Sequence, residues 1–153
     1  MTIGTVCSRN PVMAPSDAPL ATLARLMHDR HVGAVIVTKA PIDRPVPVGI
    51  VTDRDIVHAQ IRHDSDLATL RTEDVMTRDP LVLTEETPIG QGIERLRERG
   101  VRRAPVVDAS GGLVGLVSID DLFAALAEDL SRLAHLVSRQ PKREAAQRRP
   151  PGA

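Results

Sequence analysis

The chain has 153 residues, 20 Lys plus Arg against 20 Asp plus Glu, one aromatic residue (Phe123) and one cysteine (Cys7). That length suits one domain or two small units sharing a core, and the balanced charge argues against a global field for nucleic acid or anionic membrane. A lone aromatic excludes stacking platforms for single strands, a lone cysteine excludes an intramolecular disulfide or thiolate metal cluster, and no apolar run approaches membrane-spanning length. No leader-like pattern opens the chain, so a cytoplasmic protein is expected.

The elements recur in order. Residues 6–13 (Val-Cys-Ser-Arg-Asn-Pro-Val-Met) align with residues 75–82 (Val-Met-Thr-Arg-Asp-Pro-Leu-Val) at an offset of 69 (75 − 6). The same offset relates Pro19-Leu20 to Pro88-Ile89, Met27 to Leu96, Arg30 to Arg99 and Val32 to Val101. Further on, Gly49-Ile50-Val51-Thr52-Asp53-Arg54-Asp55 returns as Gly115-Leu116-Val117-Ser118-Ile119-Asp120-Asp121 at an offset of 66 (115 − 49). The first repeat therefore carries three extra residues, and the proline-rich stretch from Lys39 to Pro47 is the expected surface loop.

In each copy a short extended segment (12–14; 81–83) leads into a helix opened by a proline. Leu20, Leu23, Ala24 and Met27 recur there at helical spacing, as do Ile89, Ile93 and Leu96. Strands are predicted at 34–38 and 48–51, and at 104–107 and 113–117, the second pair joined by the hairpin signal Asp108-Ala109-Ser110-Gly111-Gly112. Closing helices span 53 to about 62 and 119 to about 137. The unit is β-α-β-β-α, and its aliphatic central strands predict sheets covered on both faces.

One unit is too small to bury an adequate core. The expected fold class is therefore mixed α/β (α+β), a tandem pair of units, residues 1–70 and 71–138, packed through their sheets around a pseudo-two-fold axis. Leu122, Leu126, Leu130, Leu133 and Val137 extend an apolar stripe beyond the repeat, to cover their own domain or meet a second subunit. Residues 139–153, with Pro141, paired arginines and Pro150-Pro151-Gly152, read as a disordered, solvated tail.

Thr52-x-x-Asp55 and Ser118-x-x-Asp121 admit two readings. A helix start offers free N–H groups and the positive end of its dipole to phosphate, and an aspartate accepts hydrogen bonds from a ribose diol. The same spacing is that of a capping box, and one pair can serve both purposes. His28, His31, His58, His63 and His135 show no metal-ligand spacing. Cys7 lacks an activating base, and Met13, Met27 and Met76 read as core filler. The Asp53/Asp55 and Asp120/Asp121 pairs have no accompanying histidine, so neither a catalytic nor a metal site is expected.

The duplicated unit, closing on Gly-Ile-Val-Thr-Asp-Arg-Asp and Gly-Leu-Val-Ser-Ile-Asp-Asp, resembles a cystathionine-beta-synthase (CBS) domain pair, or Bateman module, over residues 4–133. Arg102-Arg103-Ala104-Pro105-Val106-Val107-Asp108 is similar to the family's central strand, and Asp74-Val75-Met76 to its opening segment. The resemblance implies a stand-alone regulatory sensor of AMP, ADP, ATP or another adenosyl ligand, with no required cofactor, homodimeric as a flat disk and read by an unidentified protein partner.

It also implies Asp55 and Asp121 for ribose, Thr52, Ser118, Arg102 and Arg103 for phosphate, and Ile36 and Pro105 for an adenine slot. The first unit has Gly33 where the second has Arg102, and Ala34 where it has Arg103. Two unequal sites are therefore expected, with the anion site in the neighbourhood of the second motif. The alternative is an interaction protein with vestigial clefts, acting through its dimer surface or C-terminal helix.

Overall fold

The first repeat runs α1 (Ile3–Val6), β1 (Ser8–Arg9), β2 (Met13–Pro15), α2 (Leu20–Arg30), β3 (Ala34–Lys39), β4 (Val46–Thr52) and α3 (Asp53–His63). After a 3-10 turn at Leu67–Thr69, the second runs α4 (Thr72–Val75), β5 (Thr77–Arg78), β6 (Leu83–Thr84), α5 (Ile89–Arg99), β7 (Arg103–Val107), β8 (Leu113–Ser118) and α6 (Ile119–Gln147). This computed structural model describes residues 1–39, 43–63 and 66–147, the side chains of His63 and of 138–147 excepted. The expected β-α-β-β-α order holds, preceded in each repeat by one turn of helix and a two-residue strand. Those additions are too short to leave a periodic signature in sequence.

The two four-stranded sheets have the orders β2-β3-β4-β5 and β1-β8-β7-β6. Each takes three strands from one repeat and its last from the other. The pairs β2·β3 and β6·β7 are parallel, and the remainder antiparallel. The opening turns cross over with their strands. Ile3 lies in the core of the second repeat with Leu83, Ile89 and Leu96. Thr72 is fully buried beside the first repeat, where its N–H and hydroxyl both donate to the Ala18 carbonyl at 2.9 Å.

Glycine admits these foreign strands. A Cβ at Gly115 would lie 2.8 Å from both Cys7 Sγ and the Ser8 carbonyl oxygen. One at Gly49 would lie 2.5 Å from Met76 Sδ and 3.2 Å from the Thr77 carbonyl oxygen. The glycine that opens each repeated motif is thus a packing requirement at the crossover.

The central strands are buried on both faces. Val35 and Val37 face the first helical core, and Ala104 and Val106 the second. Ile36 and Pro105, on the opposite faces, are equally buried, as sheet-to-sheet packing requires.

Three sequence expectations need correction. On α5 the buried face is Ile89, Gly92 and Leu96, while Ile93 is exposed; a Cβ at Gly92 would lie 2.6 Å from Ile3 Cδ1, so α1 fills the place of a larger helix residue. Met13 is exposed because β2 is an edge strand that turns only Ala14 inward. The third concerns the tail: α6 continues through Pro141 to Gln147, so residues 139–147 are helical. The six residues after Pro141, Lys-Arg-Glu-Ala-Ala-Gln, are strong helix formers, while residues 148–153 lie outside the described residues. The loop expected between Lys39 and Pro47 likewise includes residues 40–42, which are not described.

The crossover contacts make Gly115→Ala the more damaging of two matched substitutions. It meets backbone, and overpacking of this kind costs about 1–3 kcal/mol. Gly49→Ala first meets the flexible end of Met76 and should cost less. Urea unfolding midpoints test the order, and a larger drop for Gly49→Ala would refute it.

Candidate functional site

Each closing helix begins with a formed cap. The Asp55 carboxylate, through Oδ2, accepts from the Thr52 N–H at 2.8 Å and the Thr52 hydroxyl at 2.9 Å, and the Asp55 N–H returns to Thr52 Oγ1 at 3.3 Å. Asp121 and Ser118 repeat this arrangement at 2.8, 2.6 and 3.2 Å. The cap reading is therefore realised in both copies.

It has a consequence for the phosphate reading. At α3 the Asp53 N–H donates to the Gly33 carbonyl at 3.2 Å, and the Arg54 N–H to Asp53 Oδ1 at 2.8 Å. With Asp55 N–H on Thr52, the first three amides of α3 all have protein acceptors. The free donors expected at this helix start are thus engaged within the protein, and the Thr52 proton is directed at Asp55. Among the described residues no group bonds Asp55 Oδ1, which leaves one carboxylate oxygen open.

The α3 start forms one wall of a pocket of about 590 Å³ that draws on both repeats. Ile50, Thr52, Asp53, Arg54 and Asp55 face residues 77–81 and residues 99–103. Backbone conformation sets the last two segments. Asp79 (φ 47°) turns the chain after β5, and Gly100 (φ 64°) ends α5 in the left-handed region, where a residue without Cβ is unstrained. Asn10 and His31 hold the same conformation at the matching places in the first repeat.

Arg102 and Arg103 therefore stand with Thr52 and Asp55 rather than with Ser118 and Asp121, which do not line this pocket. Sequence alone groups the arginines with the motif of their own repeat. The reason for the difference is the seam between the sheets, which brings the strand entry of one repeat over the helix start of the other. Arg103 shows the crossing directly. Its Nη2 lies 3.1 Å from where a Gly33 Cβ would sit, and Asp53 Oδ2 lies 3.4 Å from the same point.

The pocket holds five arginines (54, 78, 99, 102, 103) and three aspartates (53, 55, 79), a net of +2 (5 − 3). Among the described residues the guanidinium groups of Arg54, Arg99, Arg102 and Arg103 have no ion-pair partner. Glu94, a conceivable partner, is taken by Arg97, which holds its carboxyl below the usual range. Ile36 and Pro105 are fully buried and do not line the pocket. Its apolar wall is instead Ile50, Pro80, Leu81 and Val101. Sequence reasoning passed over Ile50 and residues 77–81, although the repeated Arg-Asn-Pro and Arg-Asp-Pro triplets mark the segment.

Beside the second motif, Cys7 packs against Gly115. Burial raises its thiol pKa; the Arg9 guanidinium pulls the other way, and Glu85 and Asp121 add to the rise. Among the described residues no group of three His, Cys, Asp or Glu could hold a metal ion. No described helix is long and apolar enough to cross a membrane.

A family model described as CBS domain matches residues 3–62 and 73–128. An uncharacterized protein of Methanopyrus kandleri is 23% identical over 123 residues, covering 80% of this chain and 61% of that protein. Inosine-5'-monophosphate dehydrogenase of Thermoplasma acidophilum is 31% identical over 119 residues, covering 78% of this chain and 22% of the enzyme. The chain thus spans under two thirds of either relative. Among solved structures, a CBS domain protein from Pyrobaculum aerophilum complexed with AMP superposes with a TM-score of 0.71 at 27% identity, over 84% of this chain and 99% of that one.

The two caps make a matched prediction. Thr52→Ala and Ser118→Ala should each destabilise the ligand-free protein by about 1 kcal/mol, and the double variant by about 2, since the helices are separate. Thermal or urea denaturation reads this out, and unchanged stability would show that the caps contribute nothing.

Proposed function

The chain belongs to the CBS domain family, and from that premise we propose that it is a cytoplasmic, non-catalytic regulatory module whose ligand is an adenosine nucleotide: AMP, ADP or ATP. The observation that carries the reading is the meeting, in one pocket, of the open Asp55 Oδ1, unpaired guanidinium groups and an apolar wall. In this proposal Asp55 accepts from the ribose diol. Arg102 and Arg103 hold phosphate by charge-assisted bonds, roughly twice as strong as neutral ones. Ile50, Leu81 and Val101 flank the base. The AMP in the Pyrobaculum relative supports the ligand class.

Because Thr52 and the α3 amides are engaged in the cap, Thr52 serves the site by fixing the Asp55 carboxylate. Ser118 and Asp121 form the same cap in the pseudo-symmetric position, where Gly33 and Ala34 replace the arginines. That second site is the weaker one for a charged nucleotide. A ligand spanning residues of both repeats favours one relative arrangement of them, and a protein partner reads that arrangement. A ligand contacting both arrangements equally would shift nothing.

The exposed apolar stripe on α6 favours a second reading, an interaction protein with vestigial clefts. A thermal-shift panel of AMP, ADP, ATP, NAD and S-adenosylmethionine separates the two. A ligand at a hundredfold its Kd adds about 2.7 kcal/mol, whereas no shift with any of them supports the interaction protein.

Two substitutions test the residue roles. Titration calorimetry with AMP and ATP should find one tight site, weakened at least tenfold by Arg103→Ala; two equal sites, or full affinity in the variant, would sink the assignment. Asp55→Asn keeps an oxygen to accept from Thr52, so stability should change by less than about 1 kcal/mol. With that oxygen on Thr52, the NH2 group left facing the diol can donate but not accept, and affinity should fall by about 1.5–3 kcal/mol, the worth of a bond to a charged group.

A further inference from the structure

The first residue of α3 does more than open the helix. Its N–H donates to the Gly33 carbonyl at 3.2 Å, and the matching amide of Ile119 donates to the Arg102 carbonyl at 2.9 Å. The backbone contact is thus made in both copies, but the side chains differ: Asp53 stands where the second motif has Ile119. The acid accompanies the helix start that faces Arg102 and Arg103.

Asp53 is held in one orientation. Its Oδ1 accepts from the Arg54 N–H at 2.8 Å, and its Oδ2 turns to the seam, 3.4 Å from where a Gly33 Cβ would sit. Arg103 Nη2 lies 3.1 Å from that point, so the two atoms are at most 6.5 Å apart (3.4 + 3.1). Among the described residues they form no ion pair, and no group donates to Asp53 Oδ2. An anion held by Arg103 therefore comes within reach of an uncompensated carboxylate, and like charges at this range repel.

We propose that Asp53 is a specificity-determining residue: it limits the charge of the ligand that Arg103 holds, so the pocket selects a nucleoside monophosphate over the di- and triphosphate. This assignment rests on the nucleotide reading above. Charge balance supports the selection. The surplus of the lining is +2 (5 − 3), and a phosphate monoester bears about −1.5 to −2 at neutral pH. A diphosphate or triphosphate exceeds that surplus and is repelled by Asp53. Without the Asp53 carboxylate the surplus would be +3 (5 − 2), and longer phosphate chains would be accommodated. An acid placed only to complement the helix dipole would show no such dependence on ligand charge.

Titration calorimetry of the full chain with AMP, ADP and ATP, with a metal chelator present, is the test. Wild type should bind AMP most tightly. Asp53→Asn keeps an oxygen for the Arg54 N–H; it should leave AMP affinity within about threefold and raise ATP affinity about tenfold or more. The gain should shrink with added salt and largely disappear in an Arg103→Ala background. Inorganic triphosphate, which lacks the nucleoside, should also bind Asp53→Asn more tightly than wild type. A wild type that prefers ATP overturns the proposal, as does an equal change for all three nucleotides, a loss for all three, or a gain indifferent to salt. A wild type that binds no nucleotide defeats the nucleotide reading, and equal binding of inorganic triphosphate by the two proteins would then remove the role of Asp53 as well.

Discussion

Two close approaches hold the repeats together: Gly49 against the Met76–Thr77 segment and Gly115 against Cys7 and Ser8. Each is the point at which a strand from one repeat joins the sheet of the other. A Cβ at either glycine would press against the incoming segment and weaken the pairing of the sheet's last strand. The same contacts build the candidate site. β5 lies against β4 because Gly49 admits it, and the chain then turns at Asp79 so that residues 77–81 become one wall of the pocket. Fold closure and pocket formation are therefore one event.

The caps decide which groups remain to meet a ligand. A helix N-terminus keeps its favourable dipole when capped, but hydrogen-bond donors already directed at Gly33, Asp53 and Thr52 are not free for phosphate. The donors left open at the pocket are thereby those of side chains, in which the two repeats differ, and not of the backbone they share. Five arginines against three aspartates is a property of residue choice at the pocket. Duplication preserves the shape of a site and leaves its charge free to diverge.

Much of this was legible in the sequence. The offsets of 69 and 66 residues, the proline-opened helices and the aliphatic strand runs gave the element order, and Thr52-x-x-Asp55 announced a cap that the structure forms. The crossover was not legible, because two-residue strands carry no period and a glycine does not declare which backbone approaches it. The crossover decides which residues share a pocket. With each repeat treated as self-contained, Arg102 and Arg103 seemed to belong with Ser118 and Asp121. Nor does sequence show that Ile36 and Pro105 are both fully buried. Ile93 failed for a related reason: helical spacing shows an apolar residue but not that Ile3, from the other end of the chain, occupies the space above Gly92.

The charge asymmetry has a packing logic of its own. Arg103 extends across the seam over Gly33, where any side chain would crowd its guanidinium. By the pseudo-two-fold relation, the mirror arrangement would need an arginine at position 34 lying over a glycine at position 102. The chain has Ala34 and Arg102 instead. Glycine at 33 and arginine at 103 suit one another, and this pairing has no counterpart at positions 102 and 34. The side chains at the strand entries thus break the symmetry that the repeated backbone keeps.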